Sequence, residues 1–108
     1  MADEFQIGDQ PIFKATIKED GIIVDLTGAT LTKLIFKKPN TTAKVEVNAT
    51  LTGTPTDGIL QFDFYNQTAI LLDTSGIWSF QPTGKLANSR IFFAPIEKFK
   101  VNKNLWQI

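Results

Sequence analysis

Ten consecutive residues, Ala43 to Thr52, alternate without a slip. Ala43, Val45, Val47, Ala49 and Leu51 point one way, and Lys44, Glu46, Asn48, Thr50 and Thr52 the other. A period of two is the repeat of an extended strand, whose successive side chains leave opposite faces. Pro11 to Lys18 repeats the pattern, with Phe13, Ala15 and Ile17 opposite Lys14, Thr16 and Lys18. Ile59 to Phe64 follows it with Leu60, Phe62 and Phe64, and Ile77 to Gln81 with Trp78 and Phe80. Turn residues separate these runs every eight to twelve positions, the spacing of an antiparallel sandwich or small barrel. The pattern predicts an all-β chain of seven or eight strands. One short helical turn is expected near 66–72, where the alternation stops.

At 108 residues the chain is long enough for one core, and 1–108 reads as a single β-sandwich domain. Nine Phe and no Cys mean that apolar packing, with no disulfide, must hold the sheets together. With no His, the commonest general base and metal ligand is absent. Eleven basic and eleven acidic residues cancel, which argues against a nucleic-acid partner. Their distribution is uneven: residues 1–25 hold six acids against two bases, and residues 85–108 five bases against one acid. The ends can attract each other within one molecule or between subunits; solvated strand faces are the plainer reading. The N-terminus lacks the basic and apolar regions of a signal peptide, and no run has the length of a membrane span.

Three segments interrupt the simple pattern. In Ala29–Lys38, Leu31 has odd parity while Leu34 and Phe36 have even parity, so a straight strand cannot bury all three. Either a bulge near Thr32–Lys33 corrects the register or the strand is central with both faces covered; the bulge is preferred. Pro95 has no N–H for a ladder and marks an edge or a bulge within Arg90–Val101. Phe92 and Phe93 are adjacent, so one of them faces outward unless both faces are covered.

No residue cluster carries recognisable chemistry. Asp57 with Asp63, and Glu19 with Asp20 and Asp25, lack the ligand spacing of a calcium loop. They read as turn and surface residues, and no cofactor or metal is expected. The Asn-X-Thr triplets at Asn40, Asn48 and Asn66 are attributed to chance in a Thr-rich chain. Tyr65 is the candidate sugar contact, with the polar loops 53–58 and 82–89. Phe92, Phe93, Trp106 and Ile108 are the candidate interface. Trp78, on an alternating strand, reads as core.

Asp73-Thr74-Ser75-Gly76-Ile77-Trp78-Ser79-Phe80 resembles the corner before a late strand of immunoglobulin-like sandwiches. Trp78 takes the place of the corner aromatic, and Phe80 that of a buried Cys. The corner is one residue longer than in antibody domains, and Trp lacks the tyrosine hydroxyl that closes it. With Leu26 and Gly28, the residues Asp73, Gly76 and Trp78 form the candidate structural corners. Gly28 should take a turn conformation and Leu26 should be buried.

Ile17 to Asp20-Gly21, then Val24-Asp25-Leu26-Thr27-Gly28-Ala29-Thr30-Leu31-Thr32 and Lys37-Lys38-Pro39, resemble the N-terminal immunoglobulin-like domain of phage baseplate upper proteins. Gly76-Ile77-Trp78 matches the later glycine-x-aromatic strand start of that family. The segment is one residue longer before Pro39. The resemblance implies an antiparallel immunoglobulin-like β-sandwich and a non-enzymatic structural or adaptor part in a phage tail or baseplate. It implies docking on other tail or baseplate proteins, with a homo-oligomer as a further option, and no nucleic-acid or membrane partner. Made in the host cytoplasm, such a protein resides in the virion. Ending where family members continue into a receptor-binding or fibre region, it is expected to be an adaptor or decoration. The alternative is a carbohydrate-binding module that contacts host cell-surface saccharide.

Overall fold

The alternating runs become strands, and Gly8, Asp20-Gly21 and Gly28 fall in turns. The computed structural model describes residues 4–65 and 67–104. They form β1 (Glu4–Gln6), β2 (Ile12–Thr16), β3 (Lys18–Glu19), β4 (Ile22–Ile23), β5 (Leu31–Lys37), β6 (Lys44–Asn48) and β7 (Thr50–Leu51). After a 3-10 turn at Pro55–Asp57 come β8 (Ile59–Asp63), β9 (Gly76–Lys85), β10 (Ile91–Phe93) and β11 (Glu97–Asn102). The fold is all-β.

Six strands form one mixed sheet in the order β1-β11-β9-β5-β6, with β10 also on β9. Three form an antiparallel sheet, β2-β8-β7, and β3 pairs only with β4. Pairing is antiparallel throughout except between β1 and β11. The order β11-β9-β5-β6 opposite β2-β8-β7 matches the G-F-C-C′ and B-E-D sheets of an immunoglobulin-like sandwich. The chain changes sheets at Ala49. Val47 and Ala49 are buried and Val45 and Leu51 half-buried on the same parity, so the inward face carries through the corner.

Aromatic rings fill the space between the sheets. Phe13 of β2 meets Phe80 of β9 edge to face, centroids 4.8 Å apart at 88°, and Phe36 of β5 at 5.5 Å. In antibody domains a disulfide between strands B and F and a Trp on strand C hold this place. Here Phe13, Phe80 and Phe36 stand in the three corresponding strands. Edge-to-face contacts suit rings whose faces are negative and edges positive.

The structure corrects four expectations. The described residues form eleven strands, because the runs expected at Pro11–Lys18, Ala43–Thr52 and Arg90–Val101 each divide. One pairing is parallel, since β1 lies alongside β11. The helical turn lies at Pro55–Asp57, where Pro supplies its first residue, and no helix forms among the described residues of 66–72. In that segment the Gln67 side chain bonds the backbone of Phe64 and Ile70 instead. Finally, β5 has no bulge at Thr32–Lys33: its register with β9 is constant from Leu31↔Lys85 to Lys37↔Ser79. The odd-parity Leu31 faces outward at 44 % exposure.

The interruption at Pro95 is a register shift. β10 pairs Phe93 with Thr83, and β11 pairs Glu97 with Phe80. Three residues, 94–96, therefore stand opposite two, 81 and 82. The extra residue reverses parity, so Phe92 and Ala94 are buried before it and Phe99 and Val101 after it. The backbone stays paired through Ala94 N–H to the Pro82 carbonyl, and the Gln81 amide donates to the Ala94 carbonyl.

Candidate docking surface

Ladder register decides which side chains share the outer face of the six-stranded sheet. Residues directly opposite one another lie on one face. Leu31, Lys85 and Ile91 make one row, and Lys33, Thr83 and Phe93 the next. Glu46, Ile35 and Gln81 follow, then Lys44, Lys37 and Ser79. Ile96 joins them beside Phe93 in a shallow hollow with Ile35 and Gln81. A second hollow of about 380 Å³ lies against it and includes Leu31, Ile35, Ile91 and Phe93. Ile91, Phe93 and Ile96 are each 60 % exposed or more. These five apolar side chains form one patch, which marks an interaction surface more often than isolated exposed residues do.

The edge adds a backbone feature. β10 pairs with β9 on one side and with no described strand on the other. Ala94 N–H bonds the Pro82 carbonyl, and Leu86 N–H the Arg90 carbonyl. In an antiparallel ladder the hydrogen-bonded positions alternate, so Ile91 and Phe93 turn their backbone groups to the open edge.

The candidate interface residues separate. Phe92 is 3 % exposed beneath the sheet, its ring over Gly84, where a Cβ would collide with the Phe92 ring and the Leu31 carbonyl. Phe93 is on the outer face. Trp106 and Ile108 lie outside the described residues. Tyr65 is 61 % exposed, beyond the Asp63 end of β8, whereas loop 53–58 adjoins its Ile59 end. Loop 86–89 lies with Gly28, whose added Cβ would sit 3.1 Å from Ala87 Cβ. The structure therefore gathers the polar loops at one end and leaves Tyr65 at the other. Residues 82–85, expected in a loop, belong to β9.

The corner residues have structural partners. Leu26 is fully buried, and its N–H donates to the Pro55 carbonyl. Gly28 has φ +72°. Asp25 caps this turn by accepting from the Thr27 hydroxyl at 2.6 Å and the Thr27 N–H at 2.9 Å. The Thr27 hydroxyl and then its N–H hold the Asp25 carboxyl below the usual carboxylate range. Gly76, φ +129°, packs on Pro39. Trp78 is fully buried, and its Nε1 donates to the Thr74 carbonyl, so the indole N–H makes the closing bond expected to be missing. At Asp73, partial burial raises the carboxyl pKa, but hydrogen bonds from Lys38 and Thr74 and the Lys38 charge outweigh it and leave the group lowered.

Among the described residues no three His, Cys, Asp or Glu side chains gather as a metal site. Leu31, Ile35, Ile91 and Ile96 were not among the expected interface residues. Their common face is set by pairing between strands remote in sequence, and the parity of Leu31 was the only local signal. No family model, curated protein or solved structure matches the chain.

Proposed function

We propose that this chain is a non-enzymatic structural or adaptor module that acts by protein–protein docking through the outer face of its six-stranded sheet. The observation that carries the reading is the patch of Leu31, Ile35, Ile91, Phe93 and Ile96 beside the open edge of β10. Water released from such a patch supplies affinity, and the free edge can add main-chain hydrogen bonds. The setting we propose is a phage tail or baseplate, in a virion assembled in a host cytoplasm. The resemblance of residues 17–39 supports it, together with the immunoglobulin-like strand order. Its partners are then tail or baseplate proteins, further copies of this chain among them.

Co-purification with the products of the adjacent genes tests the reading. Wild-type protein should retain one of them, and Phe93→Asp should release it while keeping the wild-type circular dichroism and melting temperature. Retention by Phe93→Asp at wild-type strength would overturn this face as the docking surface.

A further inference from the structure

Zero net charge conceals a division of charge over this surface. Lys33, Lys37, Lys44 and Lys85 stand around the apolar patch, with one acid among them, Glu46, 3.5 Å from Lys33. Lys98, opposite Ser79, and Lys100, opposite Ile77, continue the basic face on β11. The complementary surface is the β3–β4 hairpin with the loops beside it. Glu19, Asp20, Asp25 and Asp57 are exposed there, with Lys18 as the accompanying base. Between the acids stand Ile22 at 73 % and Ile23 at 47 % exposure. The hairpin is anchored to the body by Val24 N–H to the Ile17 carbonyl, at 2.9 Å, and Ile17 N–H to the Gly58 carbonyl, at 2.7 Å.

We infer that the occupant of the lysine-ringed apolar face is the acidic β3–β4 hairpin of a second copy of this chain. This rests on the docking reading above and names its partner. Two copies meeting face to face would set lysines against lysines, which electrostatics disfavours. A hairpin laid on the face brings Glu19 and Asp20 to the lysine ring and covers Ile22 against Phe93 and its apolar neighbours. Both kinds of surface are then matched in one contact. The contact is heterologous, so each copy retains a free face or a free hairpin, and assembly proceeds to a ring or an open row.

Sedimentation velocity across a concentration series, at low and at high salt, tests the inference on the full chain. Wild-type protein should gain mass with concentration and lose it with salt. One variant carries Lys37→Glu and Lys85→Glu on the face; the other carries Ile22→Ser and Ile23→Ser on the hairpin. Each should weaken self-association about tenfold or more. Mixed at equal concentration, they contain one intact hairpin and one intact face, and should form one-to-one dimers and stop there. Circular dichroism and melting curves confirm that both variants are folded. A wild type that stays monomeric at every concentration overturns the inference and leaves the docking face to the Phe93→Asp test. Self-association undiminished in either variant, or a mixture that forms no dimer, overturns it as well.

Discussion

The indole Nε1 of Trp78 donates a 2.8 Å hydrogen bond to the carbonyl of Thr74, four residues upstream. It joins the start of β9 to the corner that precedes it, as a tyrosine hydroxyl does in immunoglobulin-like sandwiches. Lys38 supports the same corner, with its Nζ 5.8 Å from the centroid of the Trp78 ring and 2.7 Å from Asp73 Oδ1. Trp78→Phe keeps an apolar ring and removes the donor, leaving the Thr74 carbonyl without it. The expected loss is about 1–3 kcal/mol, read from the denaturant midpoint at unchanged slope. An unchanged midpoint would show that the bond is not what holds the corner.

Phe13 and Phe80 bridge the two sheets where a disulfide would in an antibody domain. Phe13→Ala should cost about 3–5 kcal/mol, since it opens a cavity in the aromatic cluster. A double-mutant cycle with Phe13→Leu and Phe80→Leu should show a coupling of about 0.5–1.5 kcal/mol, the worth of an aromatic pair beyond the area it buries. Additive effects would mean that the two rings fill space independently.

Acid should weaken the fold through Asp25 and Asp73. Both carboxyls are held below their ordinary value in the native state, so the unfolded chain binds protons there first as pH falls. Their contribution is complete above the unfolded-state pKa and is lost as pH drops through that value toward the folded one. The melting temperature should therefore decline as pH falls below about 5, an unperturbed Asp being about half protonated near pH 4. Asp25→Ala and Asp73→Ala should each lower the neutral-pH melting temperature and flatten the acid decline. A variant with the wild-type slope would remove that residue from the account.

Adjacent phenylalanines should respond oppositely to the same change. Phe92→Asp places a carboxylate against Gly84 in the core, and the expected result is an unfolded or insoluble chain. Phe93→Asp changes an exposed ring, and its stability should stay within about ±0.5 kcal/mol of wild type, as is typical of surface positions. Comparable losses from both would mean that β10 is covered on each side.

The strands were legible because alternation is local. Lys44–Asn48 and Ile12–Thr16 declare their faces in five residues each, and the opposed directions of Phe92 and Phe93 follow from the same geometry. Which of that pair turns inward was not legible, since the register shift at 94–96 decides it. The parallel closure of β1 on β11 joins the two ends of the chain, and no short-range pattern encodes it. The docking patch was hidden for a related reason. Leu31 and Ile35 reach Ile91, Phe93 and Ile96 only through β9, whose own outward residues there, Gln81, Thr83 and Lys85, are polar. The Trp78 bond went unanticipated because the corner was expected to need a hydroxyl, although an indole N–H can donate to the same carbonyl.

Leu31 and Leu34 separate the constant register of β5 from the bulge that parity first suggested. A large apolar side chain invites the assumption of burial, and a bulge at Thr32–Lys33 would have turned Leu31 inward. With seven successive pairs to β9 in one register, Leu31 faces solvent while Leu34 is fully buried. Leu31→Lys should then leave stability within about ±0.5 kcal/mol, and Leu34→Ala should cost about 2–5 kcal/mol through the cavity it leaves. Because Leu31 shares its row with Lys85 and Ile91, the added lysine also enlarges the basic face and removes one apolar contact from it. The Leu31→Lys protein should melt like wild type. A large stability loss from Leu31→Lys would place Leu31 in the core and restore the bulge.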